Sequence, residues 1–308
     1  MKKTIVFLFS ATVLLFTAGC KQGDGFKKTK SGLLYKIISD KKGPVVKRGE
    51  FIKVNFTQKV RDSILGSSYN GMPTYAPVDS VGAVYNPAEL FPLLRKGDSL
   101  VVVMLADTLF KKNNGELPPY IRRKDKITLT IKVLDILPSE DLVRKDQQTL
   151  ITTQKDKEIQ IIEAYLNKNN ITATKTSNGV FFEIQSPGSG PKADSGKMVA
   201  IRYTGYTFYG QYFDSNIDST KQSPTGRHPL DPYEFQSGVQ GAIAGMLEGI
   251  QQFNKGSKGR LFIPSMLAYG SNPPPGATFK PFDNLIFDVE VLDVKQAPAM
   301  QGQPVPQF

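Results

Sequence analysis

Cysteine, histidine and tryptophan are almost missing from this chain of 308 residues, which has one Cys, one His and no Trp. With Cys20 as its only thiol the chain cannot form an internal disulfide, so its folded parts must be held by apolar cores. Hydrophobic content is ordinary at 40%, enough for each half to bury one. The single histidine, His228, stands in a stretch that reads as a loop, where a lone imidazole is read as surface decoration. The apolar run over residues 5–16 is too short for a comfortable membrane span. Glycine and proline are absent from residues 139–170, which favours a helix there.

What is present begins with an export signal. Lys2 and Lys3 precede the apolar run, which ends in Thr17-Ala18-Gly19-Cys20. Small residues before a Cys resemble a lipobox, with Thr17 where such boxes usually carry Leu. Residues 1–19 are therefore read as a lipoprotein signal peptide and Cys20 as the lipidated first residue. The mature chain would be anchored to a membrane of the cell envelope by several acyl chains, a firmer hold than one chain gives. The formal net charge is +11, and its distribution is uneven. Residues 21–138 hold 21 Lys and Arg against 11 Asp and Glu, whereas residues 171–308 are balanced. An exported lipoprotein argues against nucleic acid as a partner. An anionic membrane surface beside residues 21–138 is one reading of the excess, and a solvated basic face is the other.

The mature length suits two domains, and the chain repeats itself. KSGLLYKI at 30–37 aligns with TSNGVFFEI at 176–184, and IKVNFT at 52–57 aligns with VAIRYT at 199–204. Glu89 and Lys96-Gly97 match Glu248 and Lys255-Gly256, and VLD at 133–135 matches VLD at 291–293. A repeat whose spacing changes only between segments indicates a duplication with loop insertions. Aromatic and β-branched runs predict strands over 99–105, 126–136, 180–185, 198–208, 260–263 and 285–294. Ile243, Met246, Leu247 and Ile250 recur at helical spacing, with Gly256 as a stop signal. Asn86, Pro87 and Glu89 predict a capped helix that Pro92 keeps short or bent. Ser139 caps a long connecting helix, either continuous or broken at Thr152-Thr153. The expected fold class is α+β: two domains, each an antiparallel sheet wrapped on one short helix, joined by a helical connector. The expected boundaries are 26–138, 139–170 and 171–295, followed by a Pro/Gln-rich disordered tail at 296–308.

Within residues 176–295 the segments YTG, FDS, GMLEG, KGSKGRLFIP, AYG and LIFDVEVL fall in the order and close to the spacing of one family. This half resembles an FKBP-type peptidyl-prolyl cis-trans isomerase domain. The duplicated plan with a lipid anchor also resembles envelope lipoprotein isomerases linked to gliding motility. The resemblance implies rotation about X–Pro bonds, proline-containing polypeptide clients, and no cofactor or metal. It assigns Tyr203, Asp214 and Tyr269 as catalytic residues. Phe213, Phe235, Ala242, Ile243, Met246, Phe279 and Phe287 become substrate-binding walls, with the Ile243 N–H holding a ligand carbonyl. Met246 stands where the family's usual floor is a Trp. Residues 216–234 form an insertion relative to minimal members. In the first copy Tyr203 becomes Phe56, the FD pair falls near Leu65-Gly66, and AYG aligns near 110–112 without a Tyr. Residues 26–138 are therefore read as a degenerate, non-catalytic copy. The alternative for the whole chain is a non-enzymatic chaperone or scaffold that keeps only the fold.

Overall fold

The computed structural model describes residues 25–297, apart from 80, 83, 113–114 and 224–225. Residues 1–24, which include Cys20 and the expected signal sequence, and residues 298–308 lie outside the described residues. Seven strands form a first antiparallel sheet: β1 (Lys27–Lys28), β2 (Leu34–Ile38), β3 (Phe51–Val60), β4 (Ser63–Ser67), β5 (Thr74–Pro77), β6 (Ser99–Leu105) and β7 (Lys126–Leu137). Seven more form a second: β8 (Thr174–Lys175), β9 (Phe181–Ser186), β10 (Met198–Thr207), β11 (Tyr212–Ser215), β12 (Tyr233–Gln236), β13 (Lys258–Ile263) and β14 (Leu285–Lys295).

The sheets share one topology. The first runs β1-β2-β6-β7-β3-β4 with β5 also on β3. The second runs β8-β9-β13-β14-β10-β11 with β12 also on β10. The same bulge recurs in both. The ladder slips between Lys53 and Val54 where Asp135 and Val133 face them. It slips again between Ala200 and Ile201 opposite Asp293 and Val291. A bulge is a specific backbone event, so its recurrence at matching VLD segments is strong evidence for the duplication. The ion pair Lys96–Asp135 at 2.7 Å likewise recurs as Lys255–Asp293 at 2.8 Å.

Each sheet packs on a short helical segment. In the first, Asn86 Oδ1 accepts from the Ala88 N–H at 2.9 Å, and residues Pro87–Leu93 form a 3-10 helix. Pro92 lies inside it and has no N–H to extend an α-helical ladder. In the second, α3 (Ala244–Gly249; α1 is Ala106–Lys112 and α2 Glu140–Lys168) passes into a 3-10 turn at Ile250–Gln252. Met246 and Ile250 point inward, as the periodicity predicts, and so do Gly245 and Gly249. A Cβ on Gly245 would stand 2.2 Å from Cγ2 of Ile263, so the helix lies against β13 through glycines.

α2 runs unbroken for 29 residues through Thr152-Thr153. Ser139 caps it by accepting from the Leu142 N–H at 3.4 Å. The helix is tied at both ends. Asp146 pairs with Lys53 Nζ at 2.7 Å and accepts from the Tyr75 hydroxyl, both on the first sheet. Ile162 and Leu166 pack with Phe181, Phe262 and Ile286 of the second sheet. Those contacts fix the helix at both ends, whereas its own apolar stripe is patchy. Among the described residues no helix is long and apolar enough to cross a membrane.

Candidate active site

Strand β10 carries Tyr203, and its neighbour β11 carries Phe213 and Asp214. Gly205 faces Asp214 across that pair and Phe287 of β14 on the other side. A Cβ on Gly205 would meet the Phe213 and Phe287 rings at 2.7 and 2.9 Å, so glycine lets those two rings converge. Over this face lies a cavity of about 430 Å³. Tyr203, Asp214, Tyr269, Ala242, Ile243, Met246 and Phe287 line it, together with Ile201, Tyr233 and Gly241.

Seven of the ten residues singled out from the sequence therefore share one cavity. Phe213, Phe235 and Phe279 stand behind its lining. Phe213 meets Phe279 edge-on at 4.9 Å and Phe287 at 5.6 Å. Phe279 also lies against Tyr269, with ring centroids 5.3 Å apart. Phe235 is buried against Tyr233 at 5.6 Å. The edge-on contacts of Phe213 favour one ring orientation, while Phe235 and Phe279 lie tilted against Tyr233 and Tyr269.

The polar groups are few and organised around one carboxylate. Tyr203 is 8% exposed and donates from its hydroxyl to Asp214 Oδ2 at 2.7 Å. Its N–H donates to Asn216 Oδ1 at 2.7 Å. Burial pushes the Tyr203 phenol well above its usual range, and the bond to Asp214 adds to the shift. Tyr233 and Tyr269 are raised as well, by burial and then by the Asp214 charge. All three phenols thus stay neutral donors near neutral pH.

Asp214 has a second partner that the sequence reading set aside. His228 Nε2 lies 2.8 Å from Asp214 Oδ1, and Nδ1 lies 2.8 Å from the Pro229 carbonyl. Hydrogen bonding to Asp214, then to that carbonyl, raises the imidazole pKa. The insertion therefore returns to the site, where His228, Pro229, Asp231 and Pro232 wall an adjoining cavity of about 460 Å³ with Tyr203, Asp214 and Tyr233. No periodicity carries such a loop path. Tyr233 was legible in principle, because it alternates with Phe235 in β12 and pairs with Ile201.

The first sheet has the same scaffold without these groups. Its ladder places Gly66 opposite Gln58, where the second has Asp214 opposite Gly205. A Cβ on Gly66 would face the Phe56 ring at 3.7 Å, so carboxylate and phenol are both missing from one spot. Helix α1 occupies the segment that matches the Tyr269 turn, with Phe110 in it.

Comparison with known proteins agrees with this geometry. Residues 190–292 match the family model described as FKBP-type peptidyl-prolyl cis-trans isomerase. The chain is 33% identical over 129 residues to the isomerase FkpA of Escherichia coli, covering 42% of this chain and 43% of the relative. It is 32% identical over 174 residues to a probable FKBP-type isomerase of Haemophilus influenzae, covering 56% of this chain and 66% of the relative. Against the crystal structure of FkpA from Escherichia coli the TM-score is 0.38 at 29% identity, over 52% of this chain and 69% of the other. The sequence match spans less than half the length of that FkpA relative. Residues 190–292 are thus an FKBP-type peptidyl-prolyl cis-trans isomerase domain by that family match.

Proposed function

We propose that the second unit catalyses cis-trans rotation about X–Pro bonds of exported polypeptides, and that Cys20 holds the protein to a membrane of the cell envelope. Resonance keeps the X–Pro amide planar, with a rotation barrier of roughly 18–20 kcal/mol. No proton must move, so the site need only bind the twisted amide better than either planar form. Twisting reduces carbonyl polarity and favours an apolar setting that excludes water. The observation that carries this reading is the cavity over β10, with aromatic and aliphatic walls and one Tyr203–Asp214 pair on its face. In this reading Met246 is the floor, the Ile243 N–H receives a ligand carbonyl, Tyr269 donates from above, and Asp214 fixes Tyr203 and faces the reacting carbonyl.

The first unit, with Phe56 and Gly66 at the matching positions, serves as a non-catalytic scaffold or chaperone surface. Its exposed Ile64, Leu65 and Tyr69 support that role. A wholly non-enzymatic chaperone is the second reading, favoured by Met246 in place of an aromatic floor.

Asp214→Leu tests the assignment. It should lower kcat/KM for a proline peptide about tenfold or more while the protein still melts cooperatively. A macrolide of the family's ligand class should bind once per chain by calorimetry. An active Asp214→Leu protein, or two macrolides per chain, would refute the division between the units.

A further inference from the structure

Helix α2 places a carboxylate where its apolar stripe meets the second sheet. Glu158 is 0% exposed and lies one and two turns before Ile162 and Leu166. Burying a carboxylate costs several kcal/mol unless hydrogen bonds satisfy it. Among the described residues no cation lies within ion-pair distance of it. Its oxygens instead face three donors. Oε1 accepts from Ser265 Oγ at 2.5 Å and from Gln154 Nε2 at 2.8 Å. Oε2 accepts from the Met266 N–H at 3.0 Å.

Two of those donors open the 3-10 turn Ser265–Leu267, whose own cap position is Pro264 and offers no side-chain acceptor. The first N–H groups of a helical turn have no partner within it, and here α2 supplies one to the Met266 N–H from 108 residues upstream. The same turn sets Tyr269. The Ala268 and Gly270 N–H groups, on either side of Tyr269, both donate to the Ser265 carbonyl at 2.8 Å. The Ser265 N–H donates to Asn284 Oδ1 at 3.0 Å, and the Gly270 carbonyl accepts from Phe282. Ser265 is thus the fixed point from which the Tyr269 ring is aimed into the cavity. The matching position of the first unit is Ala106, which cannot donate from its side chain.

We infer that Glu158 is a positioning residue for the isomerase site: by capping the Ser265 turn from α2 it holds Tyr269 in its working orientation. The connector helix is then part of the active unit. This rests on the isomerase reading for the role of the Tyr269 hydroxyl.

The test uses the full mature chain and two readouts, kcat/KM for a proline peptide and amide hydrogen exchange across 265–270. Glu158→Ala should lower kcat/KM about tenfold, as small misplacement of a catalytic group does. It should also speed exchange at Met266, Ala268 and Gly270. Glu158→Gln keeps an acceptor and a donor for the turn and should stay within about twofold of wild type. In a Tyr269→Phe background the loss from Glu158→Ala should shrink to under about twofold, because interacting residues are not additive. Equal losses in both backgrounds, or unchanged exchange in a folded Glu158→Ala protein, would overturn the inference. If Glu158→Ala does not fold, Ser265→Ala removes one donor and is read by the same two measurements, with the same outcomes deciding. If the wild-type chain turns over no proline peptide, the isomerase reading falls and the exchange data alone decide the role of Glu158.

Discussion

His228 has an acceptor at each ring nitrogen, the Asp214 carboxylate at one and the Pro229 carbonyl at the other. Both bonds form together only if both nitrogens carry protons, which favours the imidazolium, whereas in the neutral ring Nδ1 can accept from Gln222 Nε2 at 3.5 Å. Tyr203, Tyr233 and Asp231 are the other titratable groups around this cavity. The phenols stay protonated, and Asp214 provides the charge that His228 meets. A histidine with a raised pKa contributes stability that is fully present below its ordinary value of 6.5 and is lost as pH rises through the folded value. Since the chain has one histidine, proton NMR of untagged protein should show a single imidazole titration with its midpoint above 6.5. Asp214→Asn should bring that midpoint down. A wild-type midpoint at or below 6.5 would refute the pairing. Tyr203, Asp214, Tyr269 and Phe287 were legible in the sequence because each sits in a short motif bound to regular structure. His228 was not, because its contact depends on how an inserted loop folds back.

Helix α3 shows what hydrophobic periodicity conveys and what it omits. Met246 and Ile250 were visible as an inward stripe, but Gly245 and Gly249 set how close the helix comes to the sheet. Replacing Gly245 with Ala should gain up to about 1 kcal/mol of helix propensity. The new methyl would meet buried Ile263 at 2.2 Å, and overpacking a tight core costs about 1–3 kcal/mol. The clash should win, so Gly245→Ala should lower the midpoint of thermal unfolding by several degrees. An unchanged or raised midpoint would mean that the helix can shift outward at little cost. Six of the fourteen strands among the described residues were legible to within a residue or two from their β-branched and aromatic runs. The continuity of α2 was not, because Lys53, Tyr75 and the Ser265 turn, which hold it, lie far away in the sequence.

Two units of one topology, with the Tyr203–Asp214 pair and its cavity in the second, describe the molecule across the described residues. The duplication was legible because strand-to-strand spacing survived where side chains did not, and the shared bulge now accounts for the VLD segments. The charge asymmetry follows the same division, with the basic excess in residues 21–138. If that excess meets an anionic surface, the Cys20→Ser chain should bind vesicles rich in acidic lipid at low salt. It should be released as salt shortens the screening length below about 8 Å. No binding at low salt would leave the charge as a solvated face. The central claim is that X–Pro rotation is catalysed at Tyr203 and Asp214 and nowhere else in the chain. Its most direct test is the cis-trans exchange rate of a proline peptide, measured by NMR with the mature chain and with its Tyr203→Phe/Asp214→Leu variant. The account predicts acceleration in proportion to wild-type concentration and a return to the uncatalysed rate in the folded variant. A wild-type rate no faster than the uncatalysed one, or full activity in the variant, would contradict it.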